Sequence, residues 1–182
     1  MPGQIAATTA EIGKNADLSG EAQALMREEM TPAQFLDTLD QHALFQDAVR
    51  FLAHKLAVNT AIRWGHTCVK DLAPPGPDPR SEPAMSATAR WLQLPDDSAR
   101  RQAREAADQG GVDTAAGCLA MAVALSGGSI TPPGAPEIVP PPYSANKLVA
   151  VSIMVAVLSH TPEKSAERYR RALVIGRKFD AG

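Results

Sequence analysis

Hydrophobic positions recur at helical spacing along most of this chain, and proline or glycine stands between the segments they mark. The pattern is firmest from Leu44 to Leu56, where Phe45, Ala48, Val49, Leu52 and Leu56 fall at i, i+3, i+4, i+7 and i+11 on one face. A helix from about Asn59 to Leu72 follows, with Ala61, Gly65, Cys68 and Leu72 on one stripe and Ile62, Trp64 and Val69 at its edges. So short a connection predicts an antiparallel helical hairpin, with Trp64 as its anchor. A second pair is predicted over Ala84 to Leu94 and Ser98 to Gln109, joined at Pro95-Asp96-Asp97, where an aspartate can cap. Its second helix has a narrow buried face of Ala99, Ala103 and Ala106. Loose similarity between the two pairs suggests stacked hairpins, as in helical-repeat folds.

Two later segments are apolar nearly all round and should be central: Thr114 to Ser126, capped by Asp113, and Ser144 to about Ser159, capped by Ser144. Thr161-Pro162 opens an amphipathic last helix with Ala166, Tyr169, Ala172, Leu173 and Gly176 inward. Toward the N-terminus, Thr31-Pro32-Ala33-Gln34 has capping-box form and predicts a helix to about Gln41; Ser19 can cap a shorter one through Met26. Residues 1–18, rich in Ala and Thr, are expected to be poorly ordered. The fold class is therefore all-α, one domain over residues 19–182.

Two proline-rich segments interrupt it. Residues 74–83 should form an exposed loop. Residues 127–143 should form a strap that crosses the surface between the two central helices, its prolines stiffening it and Ile138 and Val139 inserting into the core. Pro140-Pro141-Pro142-Tyr143 also matches a ligand form read by aromatic grooves, since a polyproline segment is preformed. Candidate partner contacts are Pro132, Pro133, Pro140, Pro141, Pro142 and Tyr143, with Trp64 added if it is exposed.

Composition supports helices over strands: 45% of residues are hydrophobic but only 4% aromatic, so close-packed, small-faced helices are expected. Eighteen Lys and Arg against 20 Asp and Glu give a net charge of −2, which offers no reason to seek nucleic acid. The longest apolar run, Leu148 to Leu158 around Ser152, falls short of the roughly 20 residues a membrane span needs, and the N-terminus does not read as a secretory signal. Cys68 and Cys118 lie in separate segments, which suits a reduced, cytoplasmic compartment and makes no zinc motif.

Candidate chemistry is sparse. His66 and Cys68, two apart on a helix, point in nearly opposite directions, and His54 falls with Asp47 and Arg50 on a polar face, where a solvated imidazole is expected. If the chain is an enzyme, His54, Trp64, His66 and Cys68 are the first candidates for its chemistry, but no motif anchors a reaction, and no cofactor or metal is expected. Arg100, Arg101 and Arg104, like the basic residues of the last helix, read as solvated faces diluted by acids at i+4. Peripheral membrane association through the two apolar helices and the basic last helix is a further alternative.

Phe51 to Leu56, Ala61-Ile62-Arg63-Trp64, Ser126-Gly127-Gly128-Ser129-Ile130, Pro132-Pro133-Gly134 and Pro140-Pro141-Pro142 together resemble an uncharacterised bacterial family of small helical proteins, over roughly residues 18–175. Some members of that family are encoded near type VI secretion genes. The resemblance implies a non-catalytic adaptor or accessory protein whose partner is another protein, a secretion component or effector, and carries over no catalytic residue.

Overall fold

Short polar residues set the starts of five helices. The computed structural model describes residues 7–76, 78–132 and 134–180, which fold into ten α-helices and one 3-10 turn, with no strand among the described residues. Thr8 and Glu11 form a reciprocal capping box at α1 (Thr9–Asn15), Ser19 caps α2 (Gly20–Leu25), and Thr31 with Gln34 makes a second box at α3 (Pro32–Gln41). α4 (Phe45–Lys55), α5 (Val58–Leu72) and α6 (Glu82–Gln93) start without a side-chain cap; Asp96 caps α7 (Asp97–Gly110) and Thr114 caps α8 (Ala115–Ala124). α9 (Ser144–Leu158), a 3-10 turn at Pro162–Lys164 and α10 (Ser165–Asp180) complete the order.

The segment expected to be poorly ordered is helical where it is described. Residues 1–6 lie outside the described residues, but α1 packs on α4, and Ile12, Ala16 and Leu18 are buried in the common core. The Thr9 hydroxyl also donates to the Met30 carbonyl, so cap and burial together outweigh the fraying expected of so short a helix.

α8 and α9 are the central pair. Ser152 of α9 donates to the Ala115 carbonyl at 2.7 Å, and about one turn on, Leu119 and Val149 both flank Gly65 of α5, so the two helices run antiparallel. α5 seats against both at Gly65, where a Cβ would lie 2.7 Å from Leu119 Cδ1 and 3.3 Å from Val149 Cγ1. α7 and α6 pack on α8, α4 packs on α9, and α10 closes over α4 and α5.

α4 and α5 do not form the predicted hairpin. Leu56 and Ala57 are both extended, which aims α5 away from α4, and each helix packs on α9 and α10 instead. α6 and α7 do pack on each other, so the two pairs are not repeats of one unit.

Trp64 is 0% exposed and its indole N–H donates to the Ala172 carbonyl at 2.9 Å, joining α5 to α10. Gly176 makes room, since a Cβ there would stand 2.7 Å from the indole. This burial removes Trp64 from the candidate partner contacts.

Long polar side chains finish the helices whose ends lack glycine. Asn146 donates to the carbonyls of Ala53 and Leu56 at 2.7 and 3.2 Å, and Arg168 donates to Leu72, Ala156 and Val157, closing the ends of α5 and α9 together. Three further arginines of α10 are spent on the bundle: Arg170 pairs with Asp40, Arg171 with Asp71 and Arg177 with Asp37. Arg171 holds the Asp71 carboxyl below its usual range, first by hydrogen bonding.

Candidate functional site

Because α8 and α9 are antiparallel neighbours, the end of one adjoins the start of the other, and the strap does not cross the domain as predicted. It leaves, folds on itself and returns. Gly128 turns the chain at φ +64, against the guanidinium of Arg100. Arg100, whose side chain is 8% exposed, donates to the Ala124 carbonyl at 2.9 Å and the Ser129 carbonyl at 2.8 Å, and also pairs with Asp97. Arg101 reaches the Thr131 carbonyl at 2.9 Å. α7 thus grips both the end of α8 and the first limb of the strap, and these two arginines are not the solvated face expected of them. Arg101 and Arg100 hold the Asp97 carboxyl below the ordinary aspartate range, chiefly by hydrogen bonding.

The strap then closes internally. Ile130 N–H donates to the Ile138 carbonyl at 2.9 Å, Ile138 N–H to Ser129 Oγ at 3.2 Å, and the Thr131 hydroxyl to the Pro136 carbonyl at 2.8 Å. These bonds and those from α7 hold the loop's backbone, and its apolar side chains stand outside. Ile138 is 54% exposed and Val139 70%; Ile130, whose N–H bonds the Ile138 carbonyl, and Tyr143, further along the strap, are also exposed. Their predicted insertion into the core does not occur. Of the candidate contacts, Pro132, Pro141, Pro142 and Tyr143 are exposed, Pro140 is buried, and Pro133 lies outside the described residues.

The return to α9 is a turn. Ser144 N–H donates to the Pro141 carbonyl at 3.3 Å, and Tyr143, third in that turn, is left-handed at φ 62, ψ 6. Tyr143, not Ser144, is the N-cap of α9; the Ser144 hydroxyl bonds back to Pro141. The Tyr143 ring lies 5.7 Å from the imidazole of His54. His54 is 8% exposed rather than solvated, with Nδ1 against the Arg50 carbonyl at 2.8 Å. Burial pushes its pKa down, Lys147 adds to that, and the Arg50 bond and Asp17 oppose it.

Trp64, His66 and Cys68 do not assemble with His54 into a site. Trp64 and Cys68 both face the Ala172 carbonyl inside the core, where burial pushes the thiol far up and out of reach of nucleophilic use. His66 turns the other way, into a cleft of about 1000 Å³ walled by Lys70, Met85, Ala115, Val155 and His160. Burial, then Lys70, lowers the His66 pKa. Among the described residues no three His, Cys, Asp or Glu side chains converge on a point that could hold a metal, and no single helix is long and apolar enough to cross a membrane. The two apolar helices considered for membrane contact are packed against each other in the core.

Sequence reasoning misses Arg100, although Arg100, Ala103, Ala107 and Gly110 share the buried stripe of α7. A charge on an alanine stripe is the signal that could have found it. No curated protein and no solved structure matches the chain. A family model does match, from within α3 to the end of α10, so that α1 and α2 precede the matched region. On that match over residues 35–179, the chain belongs to a family of unknown function (DUF6931).

Proposed function

We propose that the chain is a non-catalytic adaptor that offers the outer face of its strap to a partner protein. The observation that supports this is the pinned, apolar loop: Ile130, Ile138, Val139 and Tyr143 stand in solvent on a backbone held by Arg100, Arg101 and its own hydrogen bonds. Apolar groups kept outside on an ordered backbone lose little conformational entropy on docking, and such patches mark interaction sites. The scattered placement of His54, His66, Cys68 and Trp64 weighs against an enzyme built on them. The resemblance adds a class of partner, a component or effector of a type VI secretion apparatus. A cytoplasmic compartment belongs to the same reading, supported by two free buried cysteines, Cys68 and Cys118.

The test is affinity capture from cells expressing such an apparatus, with the tagged chain and its Ile138→Asp/Val139→Asp double variant. Recovery of a secretion component by the parent and its loss in the variant is the expected result. Capture of the same protein by both would remove the strap from the reading, and no secretion component in either would remove the apparatus.

A further inference from the structure

We infer that the contact between His54 and Tyr143 is a proton-sensitive latch on the returning limb of the strap, closed while His54 is neutral and opened when it is protonated. The inference rests on the strap being the docking surface, because the latch governs what that surface presents.

The imidazole is set in one tautomer. Nδ1 faces the Arg50 carbonyl at 2.8 Å and must donate to it, so Nε2 carries the lone pair; that atom is buried without a hydrogen-bond partner among the described residues. A proton added there would create a buried N–H with no acceptor and a cation in a site closed to water. The charges that face it do not favour this. Lys147 of α9 repels a cation, and Asp17, which attracts one, is already paired with Lys147 at 2.7 Å; on its own helix the Arg50 carbonyl is engaged at Nδ1. Tyr143 contributes only its neutral ring, 5.7 Å away and tilted by 38°.

Tyr143 is also the part most ready to move. It sits at the third position of a turn whose second residue is Pro142, in the left-handed conformation where glycine is favoured, so its own backbone preference works against the closed state. Nearly half of the residue's surface is already in solvent. Swinging it out takes away the ring that neighbours the imidazole and relaxes the turn in one step. The segment Pro140-Pro141-Pro142-Tyr143, at present bent at its end with Pro140 buried, is then free to extend. An extended polyproline limb with a free tyrosine is the form that an aromatic-lined groove reads, so the open state suits a partner of that kind.

The direction of the pKa shift sets the pH window. His54 is harder to protonate in the closed form than an ordinary imidazole, so the closed state is fully favoured above about pH 6.5, and opening rises by up to tenfold per pH unit as the pH falls below it. Amide hydrogen exchange of the isolated chain at pH 7.5 and pH 5.0, normalised to intrinsic rates, reads this directly. Residues 137–147 should lose protection by about tenfold or more while the amides of α8 keep theirs. In His54→Phe, which cannot be protonated, that difference should vanish. If His54→Phe does not fold, a nitrogen-15 titration of the His54 ring in the parent replaces it, with the loss of protection expected to track the imidazole midpoint. Protection of 137–147 unchanged between the two pH values, or a change that persists in His54→Phe or does not follow the His54 titration, would overturn the latch. Because no partner is present, this result is independent of the capture experiment: a failed capture with intact pH response removes the docking role and leaves the latch standing.

Discussion

The two proline-rich segments look alike in composition and are held in opposite ways. The loop at 74–83 is tied by donors of its own: Asp78 accepts from Ser81 and from the Arg80 backbone, and Arg80 reaches out to the carbonyl of the buried Gly110 and to the exposed Asp113. It shows no large apolar side chain and forms a lip of the cleft that contains His66. The strap has internal bonds too, but its first limb is also gripped from outside, by Arg100 and Arg101 of α7, and the first of these is nearly buried. Anchors from a neighbouring helix spare the strap from burying its own apolar groups, and Ile138 and Val139 face water as a result. The difference shows that a connection becomes a candidate docking surface through where its backbone is satisfied rather than through its proline content.

Arg100→Ala should break the contrast most. It removes two charge-assisted hydrogen bonds and leaves the Ala124 and Ser129 carbonyls without that donor, a loss of about 3 kcal/mol by urea unfolding. A loss under about 1 kcal/mol would mean the strap is held as loosely as the other loop. Gly128→Ala comes next, at about 2 kcal/mol, because it combines left-handed strain with a Cβ 3.1 Å from the Arg100 guanidinium. Limited proteolysis should then cut the strap sooner, and equal cleavage rates in variant and parent would contradict the pinning.

Much of the helical frame is legible in the sequence because local chemistry decides it. Thr31 and Gln34 box the start of α3 as their spacing predicts, and Gly65 and Gly176 fall on inward stripes because closely packed helices need them there. The short N-terminal helix falls in a segment expected to be poorly ordered, although Thr8 and Glu11 carry the same box spacing that identifies α3. The strap departs from its expected path for a different reason. Apolar character suggests burial for Ile138 and Val139, and charge suggests exposure for Arg100, whereas Arg100 is drawn in by the Ala124 and Ser129 carbonyls and the two apolar residues stand on the loop it holds. The contact of His54 with Tyr143 and that of Trp64 with Ala172 depend on how distant helices are arranged, which spacing within one helix does not specify.

Arg80→Ala measures the other side of the comparison. Its pair with Asp113 is well exposed on both partners, so the expected loss is below about 1 kcal/mol, and added salt should shrink it further. A cost matching that of Arg100→Ala would erase the distinction between the loops.

The smallest effect on stability should come from Val139→Asp. With 70% of its surface already in water, the valine gives up little burial, and its neighbours Ile138 and Pro140 keep the backbone path, so unfolding should change by no more than about 0.5 kcal/mol. The substitution places a carboxylate at the most exposed apolar position of the strap, where docking would have to bury it unpaired. Partner capture should therefore fall while the urea midpoint stays put. If both fall together, Val139 is part of what holds the strap to the domain, and loss of capture would report a disordered loop instead of a spoiled contact.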